Sequence, residues 1–174
     1  MKITLLIIIL SMCFTNDNEE YKYYETKFEE LNLKVPDVIL NGMKCIDGDC
    51  DNGEGRFVLY TPMYEGGFKD TSRHGEGVQV WSNGDYVHGM WEDGELYFGV
   101  YYYGFGDYYG DIYVGEFSNG FKDGEGTYKS VKGHIYNGEW KDDLPNGYGK
   151  RLLPDGTIDK GNFINGELVE KVQL

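Results

Sequence analysis

Four groups of residues are of types that could do chemistry. Asp47, Asp49 and Asp51 alternate along the chain as the oxygen ligands of a calcium loop do. An EF-hand loop then needs Gly at its sixth position and a bidentate Glu at its twelfth, where this chain has Asn52 and Val58. The three carboxylates therefore read as turn residues. Cys45 and Cys50 offer two thiols, but zinc would want more Cys or His close by. His74, His88 and His134 are scattered, and no Ser, Cys or Asp is placed by a motif to pair with them. Gly104, Gly106 and Gly110 match a phosphate-binding glycine loop only loosely, and no helix follows them. The expectation is no catalytic site, no metal and no cofactor, so the chain is not read as an enzyme.

What the thiols do depends on the compartment, and the N-terminus bears on that. Lys2 is the only charge before Asp17, and Ile3–Leu10 with Ser11-Met12-Cys13-Phe14 forms an apolar run. A charge followed by about a dozen apolar residues fits a secretory signal over 1–15. The run is short for a membrane span, which needs about 20 residues. Leu10-Ser11-Met12-Cys13 also resembles a bacterial lipoprotein signal, although Met12 is not the small residue that pattern wants. Cleavage, lipidation of Cys13 and retention as an anchor all stay open. Loss or lipidation of Cys13 leaves an even pair, and an even pair in an oxidising compartment favours a Cys45–Cys50 disulfide. Closing so short a loop would stabilise by about 2 kcal/mol on the chain-entropy estimate. Two free thiols in a reducing compartment are the alternative. The expected location is outside the cytoplasm: secreted, periplasmic or lumenal, or membrane-held as a lipoprotein.

The net charge is −14, and a cleaved signal would remove only Lys2, leaving 15 basic against 30 acidic residues. Nucleic acid and anionic lipid need clustered Lys and Arg, so both are disfavoured as partners. A membrane enters only through Cys13 or an uncleaved signal.

The elements that must position any site are set by a repeat. The 26 Gly and 16 Tyr are far above ordinary usage. Tyr64, Gly66 and Phe68 are followed by Gly75 and Gly77; Tyr113, Gly115 and Phe117 by Gly124 and Gly126; Tyr136, Gly138 and Trp140 by Gly147 and Gly149. Each first Gly of the Gly-x-Gly lies eleven residues after its Tyr. Anchor glycines recur at 42, 66, 89, 115, 138 and 161, and Gly84, Gly133 and Gly156 each lie five residues before the next anchor. Tyr-x-Gly-x-aromatic places its marked residues on one face of a short strand. Asn119-Gly120, Asp123-Gly124 and Asn146-Gly147 are turn signals. One hairpin cannot bury such a face, but a stack of hairpins can.

These motifs at a 23-residue period resemble the MORN repeat (membrane occupation and recognition nexus) over about residues 39–168, with 169–174 as the C-terminal end. Cys45-x-x-Gly48-x-Cys50 looks like the first unit of exported members. The resemblance implies an all-β, elongated, single-sheet antiparallel hairpin array. It further implies an interaction or scaffold module, at membranes in some cases, without catalysis of its own. A protein partner is the expectation, and its identity is not readable from the chain.

Two regions depart from the pattern. Residues 16–38 carry Tyr21, Tyr24, Phe28 and Leu31 at helical spacing, with Pro36 to stop a helix; a disordered tether is the alternative. The unit at 86–113 is three residues long for the period and has Gly99-Val100-Tyr101 in place of Gly-x-Gly. It contains Tyr97, Tyr101, Tyr102, Tyr103, Tyr108 and Tyr109 as well as Tyr113. Alternation puts Tyr101 and Tyr103 on one face and Tyr102 on the other. Either these rings fill the stack where Gly is missing, or they form an exposed patch for a partner, peptide or glycan. A membrane-surface or glycan-binding role for the same unit is the alternative function.

Overall fold

The structure is a computed structural model that describes residues 44–49, 51–58 and 63–172. The signal segment, Cys13, the helix expected over 16–38, the anchor at Gly42 and the Cys45–Cys50 pairing lie outside the described residues. The described chain forms twelve strands: β1 Lys44–Gly48, β2 Glu54–Val58, β3 Met63–Lys69, β4 Ser72–Val80, β5 Tyr86–Glu92, β6 Glu95–Tyr102, β7 Ile112–Ser118, β8 Phe121–Lys129, β9 Ile135–Lys141, β10 Leu144–Leu152, β11 Ile158–Ile164 and β12 Glu167–Lys171. They make one antiparallel sheet in chain order, β1 to β12. A three-residue 3-10 turn, Gly106–Tyr108, is the only helical element among the described residues. The all-β, single-sheet expectation holds.

Glycine fixes the register. Gly48, Gly55, Gly66, Gly77, Gly89, Gly99, Gly115, Gly126, Gly138, Gly149 and Gly161 stand directly across from one another on successive strands, and the row ends at Lys171. Glycine inside a strand costs roughly 0.5–1 kcal/mol against Ala. The return is room for rings. Tyr64, Tyr113 and Tyr136 lie against Gly77, Gly126 and Gly149, where an added Cβ would meet the phenol at 2.2–2.3 Å. Each hydroxyl then donates to a backbone carbonyl three residues on, at 3.0–3.1 Å. Trp91 and Trp140 donate Nε1–H to the carbonyls of Gly77 and Gly126.

The rings meet edge to face. Tyr113 packs on Phe117 and Trp140, and Tyr136 on Trp140 and Phe163, all with centroids 5.1–5.2 Å apart. Such pairs contribute about 0.5–1.5 kcal/mol each beyond burial. Tyr64, Phe68, Val87 and Trp91 form a second buried cluster, and Leu96 and Tyr101 pack against both. Val87, fully buried, takes the Tyr position in β5, while Tyr86 turns to the opposite face. Asp159 takes that position in β11, where Arg151 and Lys171 pair with it at 3.0 and 2.9 Å.

Two turn expectations need correction. Asp123-Gly124 and Asn146-Gly147 lie inside β8 and β10, not at hairpin tips. Gly75, Gly124 and Gly147 sit in bulges with φ of 74°, 102° and 110°, a region that favours glycine. Behind two of these bulges a glutamate satisfies the strand amide: Glu116 accepts from Glu125 N–H at 3.1 Å and Glu139 from Tyr148 N–H at 2.8 Å. Five two-residue hairpin tips among the described residues, 70–71, 93–94, 119–120, 142–143 and 165–166, each have both residues at positive φ. Asp142-Asp143 and Asp70-Thr71 make this turn without glycine.

Candidate interaction surface

β4–β5, β8–β9 and β10–β11 are joined by five-residue loops with one closure. Trp81 N–H donates to Asp85 O and Gly84 N–H to Trp81 O; the same two bonds close 130–134 and 153–157. In the unit at 86–113, Tyr103 N–H donates to Asp111 O at 3.1 Å and Gly110 N–H to Tyr103 O at 2.8 Å. The closure is identical but spans nine residues. Four residues have therefore been inserted in the β6–β7 loop. The preceding hairpin is one shorter, since Gly89 pairs with Gly99 ten residues on, not eleven. The net excess is the three residues seen in the period.

The inserted loop is tied on both sides. Asp85 accepts from Gly104 N–H at 2.6 Å and from the Tyr101 hydroxyl at 2.8 Å. Asp111 accepts from Val131 N–H at 2.9 Å and from the Tyr128 hydroxyl. Gly104 lies against Gly84 so closely that a Cβ would sit 2.0 Å from its carbonyl. Lys132 Nζ donates to Asp107 O at 3.3 Å. Phe105, Tyr108 and Tyr109 nevertheless stand 72 %, 59 % and 68 % exposed.

The tyrosines divide. Tyr101 and Tyr103 are half-buried with centroids 4.8 Å apart, and Tyr101 also meets Trp81. Tyr108 lies 5.7 Å from Tyr103 and extends that group outward. Tyr102 faces the other way and stacks on Tyr86 at 4.7 Å with planes 7° apart. Tyr97 is exposed in the β6 bulge, away from the loop, and Tyr109 joins Phe105 among the most exposed residues of the insertion. Burial pushes the pKa of Tyr101, Tyr102, Tyr103, Tyr113 and Tyr128 upward.

Beside the insertion runs a groove of about 500 Å³ walled by Tyr103, Tyr108, Tyr128, Tyr136 and Trp140. Lys122 lines it. Its Nζ lies 4.7 Å from the Trp140 ring, 5.5 Å from Tyr128, 5.7 Å from Tyr113 and 5.8 Å from Tyr103. Burial lowers the ammonium pKa, and Asp143 acts against that. The chain itself carries the signal for this cation. Arg73 and Lys122 both stand two residues before the first Gly of a Gly-x-Gly, and Arg73 lies 4.3 Å over Trp91. In the third regular unit Pro145 holds that place, and Arg151 crosses over Phe163 at 5.3 Å instead.

Of the three carboxylates expected in a turn, Asp47 instead lies in β1 opposite Arg56, while Asp49 Oδ1 accepts from Asp51 and Asn52 N–H at 3.0 Å. Those bonds hold its carboxyl below the usual range. Among the described residues no group of three or more His, Cys, Asp or Glu is placed to hold a metal ion, and no helix is long and apolar enough to cross a membrane. His88 pairs with Glu76 at 2.8 Å.

Three segments, residues 64–86, 113–135 and 136–158, match the MORN repeat. They are the three regular units, and the unmatched stretch between the first two holds the insertion. The chain is also similar to alsin from Mus musculus and from Homo sapiens, 29 % identical over 128 residues. That alignment covers 65 % of this chain and 7 % of alsin, so the chain spans only a small part of the length of these curated relatives.

Proposed function

We propose that this chain is a non-catalytic interaction module that works outside the cytoplasm and meets a protein partner through its tyrosine-rich unit. The carrying observation is the four-residue insertion. Filling the stack requires buried rings, and Tyr101 and Tyr103 serve that need. It does not require Phe105, Tyr108 and Tyr109, which are exposed on a loop that neighbouring loops hold in place. Fixed, exposed aromatics offer contact area at little entropic cost on binding. The MORN match supports a repeat-based interaction or scaffold role. Lys2 and the Ile3–Leu10 run support export.

The test uses the full chain expressed in its source cells. Intact mass should show loss of the leader, and affinity capture should recover a discrete partner from the exported fraction. Removal of residues 105–108 should abolish that capture. A chain of full mass in the cytoplasm, or capture indifferent to the deletion, would refute the proposal.

A further inference from the structure

We propose that the groove beside Lys122 seats an extended peptide segment with two adjoining features: an apolar side chain against the rings and an Asp or Glu carboxylate on the Lys122 ammonium. This rests on the interaction-module reading and adds the chemistry of the partner.

The ammonium is under-served. It has three N–H donors, and the Tyr103 hydroxyl, at 3.2 Å, is its single oxygen acceptor among the described residues. No carboxylate there lies within ion-pair distance; Asp143 influences it without forming a pair. The other cations of this face are engaged: Arg73 donates to Gln79, and Arg151 is paired with Asp159. In a chain of net charge −14, a largely buried cation without a carboxylate is a local exception. A buried charge favours a paired, hydrogen-bonded counter-charge.

The walls decide between peptide and sugar. A saccharide needs free polar tips for its hydroxyls beside the ring that it stacks on. Here most of those tips are spent. Tyr128 donates to Asp111, Tyr136 to Glu139 O at 3.0 Å and Trp140 to Gly126 O at 3.0 Å, while the Tyr103 hydroxyl accepts from the Lys122 ammonium. What remains open is mainly apolar ring surface and the Lys122 ammonium; the Tyr108 hydroxyl and His134 also line the groove, Arg151 is taken by Asp159, and Asp143 accepts from the Lys122 backbone N–H. An apolar side chain next to a carboxylate satisfies both, and about 500 Å³ is within the range of ligand pockets.

The experiment selects a displayed random heptapeptide library on the purified full chain, then measures the best peptide by calorimetry. Expected is enrichment of Asp or Glu beside Leu, Ile, Val or an aromatic. Affinity should fall about tenfold, the scale of one charge-assisted hydrogen bond, when the acidic residue becomes Gln or when Lys122→Met is introduced. Lys122→Arg should retain binding, and Lys160→Gln on the opposite face should leave it unchanged. The peptide Glu→Gln arm leaves the protein untouched, so a folding defect in the variants cannot mask the answer. Selection of peptides without acidic residues overturns the proposal. So does binding indifferent to Lys122→Met, no selection at all, or retention of uronic-acid saccharides in place of peptides. If residues 105–108 are needed for partner capture while Lys122→Met changes nothing, the module reading stands and this inference falls.

Discussion

Tyr113 rests on Gly126 so closely that a Cβ on that glycine would lie 2.2 Å from the phenol oxygen and 2.5 Å from the ring. The same pairing joins Tyr64 to Gly77 and Tyr136 to Gly149. It is the unit from which the sheet is assembled.

Gly126→Ala should lower stability by about 1–3 kcal/mol, the range for overpacking a filled core. Tyr113→Phe should cost about 1 kcal/mol through the bond to Glu116 O. Because Tyr113→Phe removes the atom nearest the new methyl, the double variant should cost at least about 0.5 kcal/mol less than the sum. Urea unfolding of the four proteins measures this, and simple additivity would contradict the packing described.

Alkaline pH should unfold the sheet cooperatively. Burial raises the folded-state pKa of Tyr64, Tyr101, Tyr113, Tyr128 and Tyr136, whereas in the unfolded chain they ionise near the ordinary value of about 10. Their contribution is fully present below that value and is lost as pH rises above it. Tyrosinate absorbance of this class should appear together with loss of β-sheet circular dichroism. Its appearance on an intact sheet would be inconsistent with these burials.

At the other end of the scale, Asp159 should mark the C-terminal edge. Bonds from Lys171 and Arg151 hold its carboxyl below the usual range. Its contribution is present above the unfolded value of about 3.9 and is lost as pH falls through the lower folded value. Asp159→Asn should therefore destabilise at pH 7 and differ little from the parent once the carboxylate is protonated. Amide exchange along β11 and β12, compared at the two pH values, reads the difference.

Deleting residues 105–108 leaves Tyr103-Gly104-Tyr109-Gly110-Asp111, a five-residue loop with Gly in fourth place. That is the length and glycine position of 81–85, 130–134 and 153–157. The sheet should keep its register, with a stability change within about 1 kcal/mol, because the removed residues are exposed. A large loss of stability would assign the insertion to folding.

Much of the fold was readable because Gly and aromatics recur at two-residue spacing, and strand alternation turns that spacing into a face. The bulges were not. Asp-Gly has the same composition in a tip and in a bulge, and positive φ serves both, so Asp123-Gly124 and Asn146-Gly147 were misplaced. Asp142-Asp143 carries no tip signal in the sequence because residues other than Gly seldom adopt φ of 47° and 69°. The long unit was visible as an excess of three, but only the closing bonds at Tyr103, Gly110 and Asp111 separate it into a shortened hairpin and a four-residue insertion. The Lys122 site stayed hidden because its rings come from β7, β8, β9 and the β6–β7 loop, and nothing local to Lys122 announces them. The repeated cation two residues before Gly75 and Gly124 was the available clue.

Whether the insertion is the contact surface is tested most directly by a photo-crosslinking residue placed at Tyr109 or, for comparison, at Ile164, exposed in β11 near the far edge of the sheet. Irradiation in the source cells should give a discrete higher-mass adduct from position 109 and none from position 164. Equal labelling at both positions, or labelling at 164 alone, would contradict the assignment of the partner surface to the tyrosine-rich unit.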